Sequence, residues 1–247
     1  MSNPSLNEER IMKDLSVYGL NSTQMTIGGT INKSFVLVGV TLATALIAVN
    51  ALLNNIISVG LITPALIIGL IIAFITIFKP NTAPVTAPLY AMVEGAAIGL
   101  LSYIFEMKFP GIVFQAVAGT FLCFFVMLFC FKTKLIQATE KFRSTIFVAT
   151  FAIMILYLVN FVAGFVPFLN FLRIPMINDS TLIGIAFSVI VCIVAALNFI
   201  IDFDNIESFS QRNLPRYFEW YFGFSLLVTL IWLYIEILRL LAKLRDR

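Results

Sequence analysis

The sequence alternates long apolar stretches with short polar connections, and this pattern predicts seven membrane-spanning helices. Each stretch is long enough as a helix to cross about 30 Å of hydrocarbon. Residues 1–32 precede them as an N-terminal extramembrane segment, and residues 33–247 form a single seven-helix transmembrane domain. The predicted spans are Ser34–Leu53, Ile57–Phe78, Val85–Phe105, Ile112–Phe131, Ser144–Val166, Leu182–Ile201 and Tyr217–Leu241.

The distribution of basic residues predicts the orientation of the chain. With seven spans, ten of the 16 Lys and Arg residues lie on the side of the N-terminus and six on the other. The excess predicts a cytoplasmic N-terminus. Four of the six follow the seventh span: Arg239, Lys243, Arg245 and Arg247. A re-entrant seventh segment would make the bias stronger, so six spans plus a re-entrant segment stays open, although the length of the segment favours a full span.

Composition agrees with an all-α polytopic membrane protein embedded in a lipid bilayer. The chain is 60% hydrophobic and 12% charged, and its mean hydropathy is +1.00. A net charge of +3 is too small to indicate a nucleic-acid partner. The chain contains no histidine, which excludes His-dependent catalytic triads and leaves carboxylates as sensors of mildly acidic pH. The oligomeric state is left open.

The end of the sixth span is the first candidate site. Asn198, Asp202 and Asn205 have i, i+4 and i+7 spacing, which places them on one helix face. Oxygen ligands suit a hard cation such as Ca²⁺ better than zinc or copper. We therefore predict a transient cation site without a resident cofactor, and we expect Asp204 and Glu207 to be loop or rim charges beyond the helix.

The third span carries a single acid, Glu94, at mid-depth. A carboxylate this far from water needs a partner or a proton, and an ionisable residue inside a span is by default a functional candidate. A second carboxylate nearby would make the two titrate as a pair. Gly95 and Gly99 follow in a GxxxG spacing, which predicts close approach of another helix.

The seventh span offers two further acids. Glu219 stands at its start among aromatic residues, and Glu236 lies near its far end. Thr229 and Glu236 share one helix face, so this span has its own polar seam. Glu219, Glu236 and Glu94 are therefore candidate cation ligands together with Asp202 and Asn198.

Four segments resemble the Bax-inhibitor-motif membrane proteins, and most closely their YccA-like bacterial branch. The EG of the third span and the DF of the sixth are the most specific matches, and the order of all four makes chance similarity improbable. The segments are MTIGGTINKSF, PLYAMVEGAAIGLLSYIFE, IIDFDNIE and EWYFGFSLLVTLIWLYIEILRLL.

The resemblance implies a fold whose last helix is wrapped by the other six, in a bacterial plasma (inner) membrane, and a pH-sensitive passive calcium leak. An acid ending helix six would pair with an acid in helix seven to gate the path. Asp202 takes the first position, whereas the second falls on Thr229, which is not an acid. Glu219, Glu236 or Glu94 would then have to replace the missing acid.

Two other classes of function were weighed against the leak. The alternative is a regulatory membrane protein that binds a membrane protease or a stress-response partner through its N-terminal segment. An enzyme is disfavoured, because no GxGD motif accompanies Asp202.

Overall fold

The computed structural model describes residues 24–165 and 179–247, whose regular structure is helical. Seven of their helices are long and apolar enough to cross a membrane, which confirms the all-α fold with seven spans. Residues 1–23 and 166–178 lie outside the described residues, and with them most of the predicted N-terminal segment and the predicted end of the fifth span at Val166. The helices are α1 (Ile27–Leu53), α2 (Ile62–Phe78), α3 (Ala83–Lys108), α4 (Ile112–Lys132), α5 (Glu140–Phe165), α6 (Leu182–Ser210) and α7 (Phe218–Arg245).

Helix α6 continues to Ser210, well beyond the predicted end at Ile201. The prediction that Asp204 and Glu207 lie beyond the helix is therefore wrong, because both are helical; Asp204 is half-buried and Glu207 is exposed. The helix continues because neither proline nor glycine occurs between Ile201 and Ser210. Its apolar face is also extended by Phe203, Ile206 and Phe209, which are all buried.

Helix α1 begins at Ile27, before the predicted start at Ser34. Thr26 is its N-cap residue, and the Thr26 hydroxyl accepts a hydrogen bond from the backbone N–H of Gly29 at 2.9 Å. Such a cap satisfies one of the donors left open at a helix start. Residues 27–33, which precede the predicted first span, therefore belong to the same helix as that span.

The chain divides into two compact units, and α6 and α7 each contribute to both. Unit 1 holds the described residues up to Met107 together with Asp204–Val228, and unit 2 holds the described parts of Lys108–Phe203 and Thr229–Arg247. In unit 1, the ring of Tyr90 meets Phe224 edge-on, with centroids 5.0 Å apart. In unit 2, Phe124 makes the same kind of contact with Phe199 at 5.3 Å.

Close packing of α1 against α3 in unit 1 confirms the prediction from the GxxxG spacing. A Cβ on Gly99 would lie 2.5 Å from the carbonyl oxygen of Ala45, and one on Gly95 would lie equally close to that of Thr41. The glycines therefore serve contact between two helices of one chain.

Helix α7 crosses the full depth of unit 2 rather than turning back. Near its middle, Thr229 contacts Asp202 of α6, whereas near its end the Lys243 ammonium donates to the Gly184 carbonyl oxygen at 3.0 Å. Asp246, just past the end of α7, accepts from Ser180 at 3.1 Å. Contacts that move steadily from the end of α6 to its beginning require antiparallel helices along their length, which favours the full span over the re-entrant alternative.

Burial differs among the spans. Half of the apolar span of α7 is buried, 50%, which is the largest share among the seven helices of the described chain. Helix α3 follows at 44% and α6 at 39%. These are the helices that carry the candidate acids, so the candidate acids lie on the most buried spans.

Candidate functional site

The centre of the candidate site is a hydrogen bond between α6 and α7 in unit 2. The Thr229 hydroxyl donates to Oδ2 of Asp202 at 2.6 Å, and both residues are 8% exposed. A bond this short lies in the range typical of a hydroxyl that donates to a carboxylate. Burial of a carboxylate costs free energy unless it is hydrogen-bonded, so Thr229 stabilises Asp202 at this depth.

One turn before Asp202, Asn198 is half-buried and held by a different partner. Its amide nitrogen donates to the Thr150 hydroxyl of α5 at 2.9 Å and to the Val194 carbonyl oxygen of its own helix at 2.8 Å. The amide nitrogen is thus fixed by two acceptors, which leaves the amide oxygen as the group that could contact a cation.

Glu236 is 1% exposed and is the most deeply buried of the candidate acids. It accepts a hydrogen bond from the Tyr157 hydroxyl of α5 at 2.9 Å and forms an ion pair with Arg239 at 3.2 Å. The Arg239 guanidinium also stacks over the Tyr157 ring, 4.9 Å from its centroid. The Arg239 guanidinium therefore compensates the negative charge of Glu236.

Glu219 belongs to the first turn of α7 in unit 1 and is 2% exposed. Its side chain contacts the start of α1. Its Oε1 accepts hydrogen bonds from the backbone N–H of Thr26 at 3.1 Å and from the Thr26 hydroxyl at 3.0 Å. Arg216 approaches Oε2 at 3.6 Å. A carboxylate at a helix N-terminus is stabilised by the helix dipole, so Glu219 fastens the start of α1 to the start of α7.

Glu94 also lies in unit 1, 8% exposed, on the face of α3 that meets α2. Its Oε2 lies over Gly69, where a Cβ would be only 2.6 Å away. The carboxyl group therefore occupies space that the missing side chain of Gly69 leaves open.

The predicted ligands are distributed over separate surroundings. Asn198, Asp202 and Glu236 belong to unit 2, whereas Glu94 and Glu219 belong to unit 1. Within residues 24–165 and 179–247, no group of three or more acids and cysteines is placed to hold a metal ion. The assignment of all five residues as cation ligands stays a prediction.

Several partners of the candidate acids were missed by sequence reasoning. Thr150, Tyr157 and Thr26 each bond a candidate residue from a distant part of the chain. The one signal in the sequence is that a hydroxyl buried in an apolar helix must find a hydrogen-bond partner, and many such hydroxyls bond a carbonyl of their own helix. The spacing within one helix carries no information on which distant helix supplies a partner.

The fold and these buried acids define a polytopic helical membrane protein that keeps carboxylates inside its spans. A family model described as Bax inhibitor 1 like matches residues 3–246. The chain belongs to this family, which is associated with ion leak across membranes. No curated protein matches the chain.

Proposed function

We propose that this protein is a pH-sensitive passive channel through which cations, and Ca²⁺ in particular, leak across the membrane. The observation that carries the proposal is the buried Asp202 carboxylate on α6, bonded to α7 through Thr229 at 2.6 Å. Asp202 and Thr229 occupy the two positions that the family resemblance assigns to the gate. Within the family we place the chain in the YccA-like bacterial branch, on the four segments quoted above.

The gate of this chain differs from a pair of acids in its charge. Thr229 gives one hydroxyl where a second carboxylate is expected, so this pair carries one negative charge instead of two. Calcium affinity rises with the number of charged ligands, and we therefore expect transient binding. Deprotonated Asp202 attracts the cation, whereas protonation removes the charge and changes its pairing with α7.

The other acids have supporting roles in this proposal. Glu236 is compensated by Arg239 and Glu219 is held by Thr26, so neither is the principal ligand. Glu94, the candidate acid of the third span, belongs to unit 1, whereas Asp202 belongs to unit 2. The resemblance supports a bacterial plasma membrane, and the excess of basic residues supports a cytoplasmic N-terminus.

The test is Ca²⁺ flux into liposomes that contain the purified chain, measured over a series of pH values. Asp202→Asn removes the charge and keeps the shape, and we expect it to lower the flux at neutral pH. Glu207→Gln is the matched control, because Glu207 is an exposed acid of the same helix. Flux that is unchanged in Asp202→Asn would overturn the assignment of the gate.

A further variant restores the charge that the gate lacks. Thr229→Asp places a second carboxylate beside Asp202, and we expect tighter Ca²⁺ binding and a stronger dependence of flux on pH, because two neighbouring carboxylates titrate as a pair. If the wild-type chain passes no cation above empty vesicles at any pH, the leak is excluded. The regulatory protein that binds a membrane protease or a stress-response partner would then be favoured.

A further inference from the structure

Glu94 differs from the other buried acids in what surrounds it. Asp202 has a hydroxyl donor, Glu219 has Thr26, and Glu236 has an arginine. Among the residues that the structure describes, no group donates a hydrogen bond to the Glu94 carboxylate or forms an ion pair with it. A carboxylate that is more than nine-tenths buried without a protein partner is costly when charged and far less costly when protonated.

Helix α2 leaves room for the Glu94 side chain at Gly69. Gly69 is buried, and its missing Cβ leaves room for Oε2. Tyr90, one turn earlier on α3, lies 4.0 Å from the same Cβ position and is 6% exposed. Gly69 and Tyr90 together form an apolar notch that the carboxyl group fills, and we call this the Gly69 notch.

The elements packed around the notch supply little charge. Helix α2 has no charged residue between Ile62 and Phe78, and α1 has only Lys33, near its start. At the level of Gly95, α1 contributes Thr41 and Thr44. Tyr90 is the titratable side chain beside Glu94, and its ring packs on Phe224. The notch thus brings together the Glu94 carboxyl group and the Tyr90 hydroxyl, and the cation carried by the described helices α1 and α2 is Lys33, near the start of α1.

We infer that Glu94 in the Gly69 notch is the proton-binding site of the leak, while Asp202 is the cation ligand. The inference rests on the proposed function and assigns proton binding to Glu94 and cation binding to Asp202. Glu94 holds a proton at acidic pH and releases it as pH rises. The chain then carries a charge in the notch that the surrounding helices do not compensate, and their packing must change.

The test that does not depend on flux is labelling with a hydrophobic carbodiimide, dicyclohexylcarbodiimide. The protonated acid adds across one C=N bond of the reagent: the carboxyl oxygen bonds to carbon and the proton moves to nitrogen. The O-acylisourea rearranges to a stable N-acylurea, and nothing leaves. Digestion and mass spectrometry then locate the added mass.

We expect label on Glu94, falling as pH rises and lost in Glu94→Gln. Label that is absent from Glu94, or no greater there than on Asp202 and Glu236, overturns the inference. Gly69→Ala fills the notch and displaces the end of a flexible side chain, so the label on Glu94 should fall in a folded protein. Gly39→Ala is the control, because a Cβ at Gly39 meets nothing within 4 Å; an equal effect of both alanines argues against the notch.

Flux separates this inference from the proposed function. Glu94→Gln should remove most of the pH dependence of the Ca²⁺ leak, and an unchanged pH profile would overturn the role of Glu94. A chain that is labelled at Glu94 but passes no cation would remove the leak and leave the proton site standing. A chain whose leak depends on Asp202 but that is not labelled at Glu94 would remove the proton site and leave the leak standing.

Discussion

Thr229→Val tests whether the contact between α6 and α7 stabilises the chain. Valine keeps the shape of threonine and removes the hydroxyl that donates to Asp202 at 2.6 Å. A hydrogen bond to a charged group contributes about 1.5–3 kcal/mol to stability. For a chain of this size, each kcal/mol changes the melting temperature by about 2–4 °C. We therefore expect Thr229→Val to lower it by about 3–12 °C.

The control for this experiment is Thr120→Val in α4. Thr120 is 4% exposed, and its hydroxyl donates at 2.7 Å to the Ala116 carbonyl oxygen of its own helix. Such a bond within one helix adds little to stability, so Thr120→Val should unfold near the wild-type temperature. Thermal unfolding in detergent can be followed by the fluorescence of the two tryptophans.

A double-mutant cycle with Asp202→Asn isolates the energy of the pair. If the contact is as strong as its geometry indicates, the effects of Thr229→Val and Asp202→Asn are not additive, and the coupling is about 1.5–3 kcal/mol. A coupling below about 0.5 kcal/mol, the level at which independent sites add, would refute the reasoning. A melting temperature for Thr229→Val that equals that of Thr120→Val would do so as well.

Two further predictions concern the ends of the helices. Gly29→Ala would place a Cβ on the Glu219 carboxylate and should therefore lower the melting temperature. Gly28→Ala is the control, because a Cβ at Gly28 meets nothing within 4 Å. Equal melting temperatures for the two variants would show that Glu219 does not hold the start of α1. The hydrogen bond from Lys108 holds the pKa of Asp246 below its ordinary value. The stabilisation of the C-terminus by the Lys108–Asp246 pair is therefore fully present above the ordinary pKa of about 3.9. It is lost as the pH falls through the lowered pKa of Asp246. Asp246→Asn should speed proteolysis of the C-terminus at neutral pH and low salt, but not at pH below the lowered value, and a difference that persists there would contradict the ion pair.

The number and type of the helices could be predicted from sequence because the bilayer imposes one length on every span. Within hydrocarbon each backbone group must be bonded inside its own helix, so a long apolar stretch leaves few alternatives. The ends of α1 and α6 were missed for a local reason. At Thr26 a cap extends the helix into a polar stretch, and beyond Asp202 a buried apolar face continues among charged residues.

The candidate site was predictable only in part. The depth of Glu94 and the helical face of Asp202 follow from position and spacing. The partner of Asp202 lies 27 residues away along the chain, and the partner of Asn198 lies 48 away. Such pairings depend on which helices are neighbours, and hydropathy does not contain that information. Thr229 was identified by resemblance as the gate position, but its ability to bond Asp202 directly appears only in three dimensions.

The hydrogen bonds between Thr26 and Glu219 also constrain how the protein is made. The two residues are 193 positions apart in the sequence, and synthesis at about 5–20 residues per second separates their emergence by roughly 10–40 s. Unit 1 is likewise assembled from the beginning and from near the end of the chain. The first helix to enter the bilayer must therefore wait, with its starting turn unsecured, until the last helix is inserted. A ribosome that stalls before the seventh helix would leave all earlier spans in the membrane without this closing contact.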